Sequence, residues 1–247
     1  MTRTTSPAAT AYLEAIYRLQ EISGLARTSK LAVQMGVAAP SATGIVRKLE
    51  REGLVIHEPY RGVKLTDQGR MVALSAISKH RLAERLLVDM LHMDWTRVHG
   101  EACRLQYGIS NEIVRPLEKA LGHPRTCPHG NPIPTKCGGI VEEESDSMTN
   151  LRARESGVVV KLTNEQPEVL EHLAKIGLRP GVAIEVREPI PKDEVAIVSG
   201  DGENHRLPWE VASTIKVKRT RPESEPEHLG IGRHKNRAYV FSPAIPV

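Results

Sequence analysis

Two pairs of residues in the middle of the chain have the side chains and the spacing to hold a divalent cation. His80 and Glu84 are four residues apart, as are His99 and Cys103, and on a helix each pair projects from one face. Imidazole nitrogen, carboxylate oxygen and thiolate sulfur are donors that iron, manganese and zinc accept. Either pair alone is more often a solvated hydrogen bond or a small buried thiol. Two pairs on successive helices, followed by Cys127-Pro128-His129-Gly130-Asn131, strengthen the metal reading.

The elements that must carry these pairs are long and apolar. Periodicity predicts one helix from Met71 through Met90 and a second from near Trp95 to Leu121. Apolar helices of this kind pair with a second copy, so a homodimer is expected. At 247 residues the chain exceeds one average domain.

Composition narrows the classes. With 34 Lys+Arg against 30 Asp+Glu, the net charge of +4 neither demands nor excludes nucleic acid. One Phe and two Trp cannot build a stacking platform for single strands, a limit that leaves duplex readers untouched. Cys103, Cys127 and Cys137 form an odd set without a secretory signal, which argues for a reducing, cytoplasmic setting. No apolar run approaches the ~20 residues of a membrane span.

The amino-terminal third reads as a duplex-DNA reader. Tyr12, Leu13, Ile16, Tyr17 and Leu19 recur at helical spacing behind a Ser6-Pro7 cap, giving a first helix over Ala9 to Ile22. Thr28 to Met35 forms a second, ended by Gly36, and after Pro40 a third runs from Ser41 to Arg51. Its first turn is small and hydroxylated and its later turns basic, which suits a major groove. Ser41, Thr43, Arg47 and Lys48 are the expected DNA contacts. Leu54 to Glu58 and Val63 to Thr66 then alternate as a two-stranded wing, with Arg61 at its tip to meet phosphate.

The order of four stretches is familiar. Tyr60-Arg61-Gly62-Val63-Lys64-Leu65-Thr66, His80-Arg81-Leu82-Ala83-Glu84-Arg85-Leu86-Leu87, Val98-His99-Gly100-Glu101-Ala102-Cys103 and Gly130-Asn131-Pro132-Ile133-Pro134 together resemble the diphtheria toxin repressor family of iron- and manganese-dependent transcriptional repressors. The likeness runs from about Thr10 to Pro134 and continues loosely to about Lys218, where the chain is similar to the domain shared with ferrous-iron-transport protein A. The resemblance implies an ancillary metal site at His80, Glu84 and His99, and an anion pocket at Arg81, Asn131 and Cys127, the last standing where the family often has Ser. At the family's primary site Cys103 matches. Ala11 falls where a Met or Asp ligand belongs, and Gln106-Tyr107 replace a Glu-His pair. Ala has no donor and Gln only a neutral carbonyl, so an ion held by Cys103 and Gln106 would be weakly bound. Two rebuilt sites are open. One is His80, Glu84 and His99 completed by third-domain carboxylates; the other is Cys103, Cys127 and Cys137, with or without His129, holding Zn(II) or an iron-sulfur cluster.

Gly138-Gly139 and the acidic run Glu142 to Ser147 read as a solvated linker. Beyond it, short strands at Ser156 to Leu162, Val182 to Val186, Glu194 to Val198 and Ser213 to Val217, with a helix from Pro167 to Ile176, suggest a small SH3-like β-barrel. Glu165, Glu168, Glu171 and His172 compete as its donors to the ancillary site, with Glu165 and Glu168 favoured. The tail after Arg219 reads as disordered until Ala238-Tyr239-Val240-Phe241.

The sequence therefore predicts a multidomain, mainly α protein. Its parts are a winged helix-turn-helix domain at 1–74, a helical metal-binding and dimerisation domain at 75–137, a linker at 138–150, the barrel at 151–218 and a tail at 219–247. The resemblance implies a dimeric repressor, not an enzyme, that binds a palindromic operator when loaded with Fe(II) or Mn(II). Two alternatives stand beside it: the same DNA reader answering to thiol-bound metal or to none, and an iron-handling protein.

Overall fold

The computed structural model describes residues 5–58, 61–135, 137–190, 194–199 and 202–220. Pro59 and Tyr60 of the wing turn and the segment Ala238 to Phe241 lie outside them. Three apolar cores organise the rest.

The first core is built by α1 (Pro7–Ser23), α2 (Thr28–Gln34), α3 (Ala39–Arg51), the hairpin β1 (Val55–Glu58) and β2 (Gly62–Leu65), and the first half of α4 (Asp67–Arg85). Helix α1 starts as its sequence directs: the Ser6 hydroxyl accepts the Ala9 N–H at 3.3 Å and Pro7 occupies the first turn. Ala42, Val46 and Leu49 turn one face of α3 into the core, leaving Ser41, Arg47 and Lys48 exposed on the other. The hairpin is antiparallel, with Val55 opposite Leu65. Thr66 caps α4 by accepting the Gly69 N–H at 3.1 Å.

Beyond Arg85 the helix loosens into a π-helical turn, Leu86–Met90, so the predicted helix continues but not as regular α-helix. The predicted helix from Trp95 to Leu121 is two, α5 (Val98–Leu105) and α6 (Asn111–Ala120), separated by a 3-10 turn at Gln106–Gly108. Gly108 and the N-cap position Ser110 sit at the break. These elements form a small second core of Ala83, Leu87, Val98, Ala102 and Ile109. Helix α6 buries no residue, and Met90, Leu91, Met93 and Ile113 remain exposed nearby.

The third core lies against a six-stranded antiparallel sheet in the order β3-β8-β4-β5-β6-β7, with α7 (Pro167–Lys175) and α8 (Trp209–Ser213) packed on it. Its strands are β3 (Asp146–Ser147), β4 (Ser156–Leu162), β5 (Ala183–Ile190), β6 (Glu194–Ser199), β7 (Asn204–Pro208) and β8 (Ile215–Arg219). Register shifts at Val159/Lys161 and Val186/Glu188 curl it. The expected closed barrel is not formed among the described residues, because β7 and the two-residue β3 end the sheet without pairing to each other. Strand β7 escaped the sequence because only Leu207 of its five residues is buried, which leaves no alternation to read.

The acidic run expected as a solvated linker lies along this sheet. Lys161 pairs with Glu142, Lys218 reaches Glu143 at 2.8 Å and Arg219 reaches Asp146 at 3.0 Å. Just beyond, Met148 is fully buried in the third core.

Gly69 is where the winged unit and α4 touch most closely: a Cβ there would sit 1.9 Å from the Leu54 carbonyl oxygen. Gly69→Ala is therefore expected to destabilise the protein by about 2–3 kcal/mol, the cost of forcing backbone apart in a packed contact. Urea unfolding checks this, and a midpoint equal to that of the unsubstituted chain would contradict the packing described.

Candidate metal centre

The carboxylate of Glu84 is fully buried and ringed by imidazoles. From one turn earlier on α4, His80 Nε2 comes within 3.1 Å of Glu84 Oε1. Helix α5 brings His99 Nδ1 to 3.3 Å from the same oxygen and 3.2 Å from His80 Nε2. The segment leading into α7 adds Glu165, whose Oε2 lies 2.8 Å from His99 Nδ1. One ligand atom from each of His80, Glu84, His99 and Glu165 falls within 4.8 Å of the others.

These spacings suit a cation. Bonds of about 2.1 Å at tetrahedral or octahedral angles set neighbouring donors roughly 3.0–3.4 Å apart. Glu84 Oε2 is buried without a partner, an arrangement that costs free energy unless something positive approaches it. Two imidazoles and two carboxylates match the preferences of Fe(II), Mn(II) and Zn(II).

Without a cation, protons hold the cluster together. Burial alone would push His80 down, but Cys103 and Glu84 beside it outweigh burial and hold it up at about 9. His99 is pushed up to about 12 by Cys103, Glu165 and Glu84. Glu84 would rise through burial, yet contacts from His129, His80 and His99 hold it well below the usual carboxylate range. Cys103, with its Sγ 3.7 Å from His99 Nε2, is drawn down to about 6 by His80 and His99.

The loop after α6 closes the other side of Glu84. Gly130 lets it press on β4: a Cβ there would lie 2.0 Å from the Val160 oxygen, and its φ of +83° is one that L side chains rarely adopt. Asn131 Nδ2 donates to Leu162 O at 3.0 Å and to Glu165 Oε1 at 2.7 Å. The Arg81 guanidinium donates to the Pro132 carbonyl. Of the residues expected to form an anion pocket with Cys127, Arg81 is engaged by the Pro132 carbonyl and Asn131 holds the chain's own Glu165 carboxylate.

Other expected residues are placed differently. Glu168 is exposed and belongs to no ligand group among the described residues, whereas Glu165 does. Glu171 pairs with Arg97 at 2.8 Å and His172 is exposed. The three cysteines do not meet. Cys103 groups with His80 and His99, Cys127 groups with Glu84, His129 and Glu165, and exposed Cys137 joins neither. Among the described residues no ligand group brings the three together on a single ion. Gln106 is buried beside Glu14, its Nε2 3.5 Å from Glu14 Oε1 and its own Oε1 without a partner. Tyr107 is exposed.

Glu14 is a residue that ligand spacing does not reveal. It is buried on α1, and burial raises its carboxyl above the ordinary range while Arg18, His80 and His99 pull it down. A signal exists all the same: a carboxylate between Leu13 and Ile16 on the apolar face of a helix needs a reason to be there. On the DNA-reading side, Thr43 is half-buried with its hydroxyl donating to Ala39 O at 2.9 Å. Arg61 is exposed and pairs with Glu58 at 3.4 Å.

The chain is similar to known proteins over most of its length. Family models match in succession: iron-dependent repressor, N-terminal DNA-binding domain, over residues 4–63; iron-dependent repressor, metal-binding and dimerisation domain, over 66–135; and FeoA domain over 147–219. The chain is 34% identical over 220 residues to the iron-dependent repressor IdeR of Mycobacterium tuberculosis, covering 84% of this chain and 95% of that one. It is 29% identical over 217 residues to the diphtheria toxin repressor of Corynebacterium diphtheriae, with the same coverage of 84% and 95%. A solved manganese-dependent transcriptional repressor in complex with manganese superposes with a TM-score of 0.80 at 31% identity, covering 86% of this chain and all, 100%, of that one. IdeR of T. acidophilum superposes at 0.73 with 27% identity, covering 88% and 100%.

Because His80 titrates at about 9 here, a divalent ion binding near neutral pH must displace protons. Apparent affinity is expected to rise with pH and to keep rising above about 9, because His99 holds its proton to about 12. Calorimetry of Mn(II) binding in buffers of different ionisation enthalpy should report proton release at neutral pH; none released would contradict the cluster. In metal-free protein the His80 contribution to stability is complete below the unfolded imidazole pKa of about 6.5. It is lost as pH rises through the folded value of about 9.

Proposed function

The chain belongs to the iron-dependent repressor family of metal-dependent DNA-binding regulators, and from that membership we propose that His80, Glu84, His99 and Glu165 hold the Fe(II) or Mn(II) that licenses a homodimer to bind its operator. The reading is carried by one observation: donors from α4, from α5 and from the third unit converge on a carboxylate that has an orphaned buried oxygen. A bound divalent ion supplies the positive charge that this pair of carboxylates otherwise takes from protons. Cys103, grouped with His80 and His99, and Gln106 beside Glu14 belong to the same reading as a weaker, neighbouring position.

The chain's own residues connect the site to DNA. His80 and Glu84 lie on α4, whose first turn packs on the winged unit at Gly69 and Leu54. Glu165 and Asn131 anchor the third unit to the same helix pair. Ordering this junction sets the direction in which α4 presents α3, and in a two-fold dimer that direction sets the separation of the recognition helices. Residues 1–74 would serve as the reader and 75–137 as the metal-binding and dimerising unit. The exposed Met90, Leu91, Met93 and Ile113 offer apolar surface for the partner. The third unit, 151–218, follows the linker 138–150 and precedes the tail 219–247. We read it as an SH3-like barrel, a view supported by the FeoA match and by the two bulges that curl its sheet.

On α3, Ser41, Thr43, Arg47 and Lys48 face the duplex, with Arg61 on the wing. Anisotropy with a palindromic duplex found by genomic selection tests the proposal. Chelator should abolish binding, Fe(II) or Mn(II) should restore it, and His80→Ala should weaken metal-dependent binding at least tenfold; chelator-independent binding would refute it. Lys48→Ala should lower the slope of log affinity against log salt by about one, the signature of a lost phosphate contact.

A further inference from the structure

A cleft of about 1140 Å³ opens between the start of α1, the later turns of α3, the middle of α4 and the 3-10 turn at Gln106–Gly108. That is room enough for a small organic molecule. Its charges are not balanced. Lys48 from α3 and Lys79 from α4 both line it, and neither has an ion-pair partner among the described residues. Lys79 is half-buried, where an unmet ammonium costs free energy. Glu52 is the one carboxylate among the described lining residues, and it pairs with neither lysine. Ser6 and Pro7 border the same space and bring the positive end of the 17-residue α1 to it.

These groups select among anions. A lysine acts on phosphate as a point charge, whereas the planar carboxylate is matched best by the fork of an arginine. The described lining holds lysines and a helix amino terminus but no arginine. One further polar group has the opposite need. Gln106 borders the cleft and is 5% exposed, and its Oε1 is buried without a partner. Such an oxygen calls for a donor. Leu54 and Val72 add apolar lining, against which a ring can pack.

We propose that this cleft binds a nucleoside monophosphate whose base carries an exocyclic amine, and that the bound nucleotide weakens the operator complex. Lys48 and Lys79 take the phosphate and Gln106 Oε1 accepts from the amine. A Lys48 engaged by the nucleotide is withdrawn from the duplex, and the ligand stands between α3 and α4, whose relative direction the operator reads. The regulatory half rests on the DNA-binding reading of Lys48 given above; the binding half does not.

Calorimetry on the full, metal-free chain with chelator present tests the binding half, so that no metal bridges nucleotide and protein. CMP is expected to bind. UMP, which presents a carbonyl oxygen where CMP has its amine, should bind roughly tenfold more weakly, because that oxygen would face Gln106 Oε1. Cytidine, without the phosphate, should lose at least as much. Lys79→Gln should weaken CMP binding roughly tenfold, the share of one charge-assisted hydrogen bond. Ser75→Trp, which fills the cleft from an exposed position on α4, should abolish it. One variant changes charge and the other shape, and thermal melts matching the unsubstituted chain show that each folds. No heat from AMP, CMP or GMP at millimolar concentration overturns the proposal, and so does CMP binding that both variants leave unchanged. CMP binding by a dilute monomer but not by the dimer also overturns it, since a second copy then covers the cleft. For the regulatory half, operator anisotropy is read on Mn(II)-loaded protein with and without CMP. A loss of operator affinity that Ser75→Trp removes, with the salt slope lowered by about one, supports it. Unchanged operator affinity with CMP bound overturns that half alone.

Discussion

A carboxylate out of contact with water must be neutralised where it sits, and Glu84 is the point at which this molecule meets that requirement. His80 comes from its own helix, His99 from the next, His129 from the loop after α6, and Glu165 arrives from the third unit bringing a second negative charge. The groups that satisfy it are therefore contributed by separate parts of the chain. The small middle core, with five buried apolar residues, is too slight to fix those parts alone. Charge at one buried point takes over the work that apolar packing does in the first and third cores.

This division accounts for how the elements were legible. The winged unit buries apolar faces at helical and strand spacing, so α1 followed from Tyr12, Leu13, Ile16, Tyr17 and Leu19, α2 and α3 from the Gly36 stop and the Pro40 start between them, and the hairpin from alternation. The break between α5 and α6 did not, because apolar residues continue on both sides of it and only Gly108 and Ser110 mark the stop. In the third unit, β7 stayed hidden since a single inward residue carries no period.

The site divides in the same way. His80, Glu84 and His99 were legible because helical spacing converts sequence distance into direction. Glu165 over Glu168 was a matter of loop geometry: one precedes α7 and turns inward to Asn131, the other sits in the helix's first turn facing water. Cys127 and His129 are two residues apart on a loop, where spacing says nothing about direction. Only the anchoring of Gly130 on β4 and of His129 on the Trp95 carbonyl aims them inward.

The connection between the second and third units carries a consequence of its own. Gly138 lies against Met71 and Leu74, and Met148 is sunk in the third core, with the acidic stretch between them pinned by Lys161, Lys218 and Arg219. The tether has little slack, and a short tether raises the effective concentration of what it joins. Each third unit is thereby committed to the helices of its own chain. Exchange of this unit between protomers, the ordinary hazard of a dimer with a detachable part, is opposed by the way the tether is held.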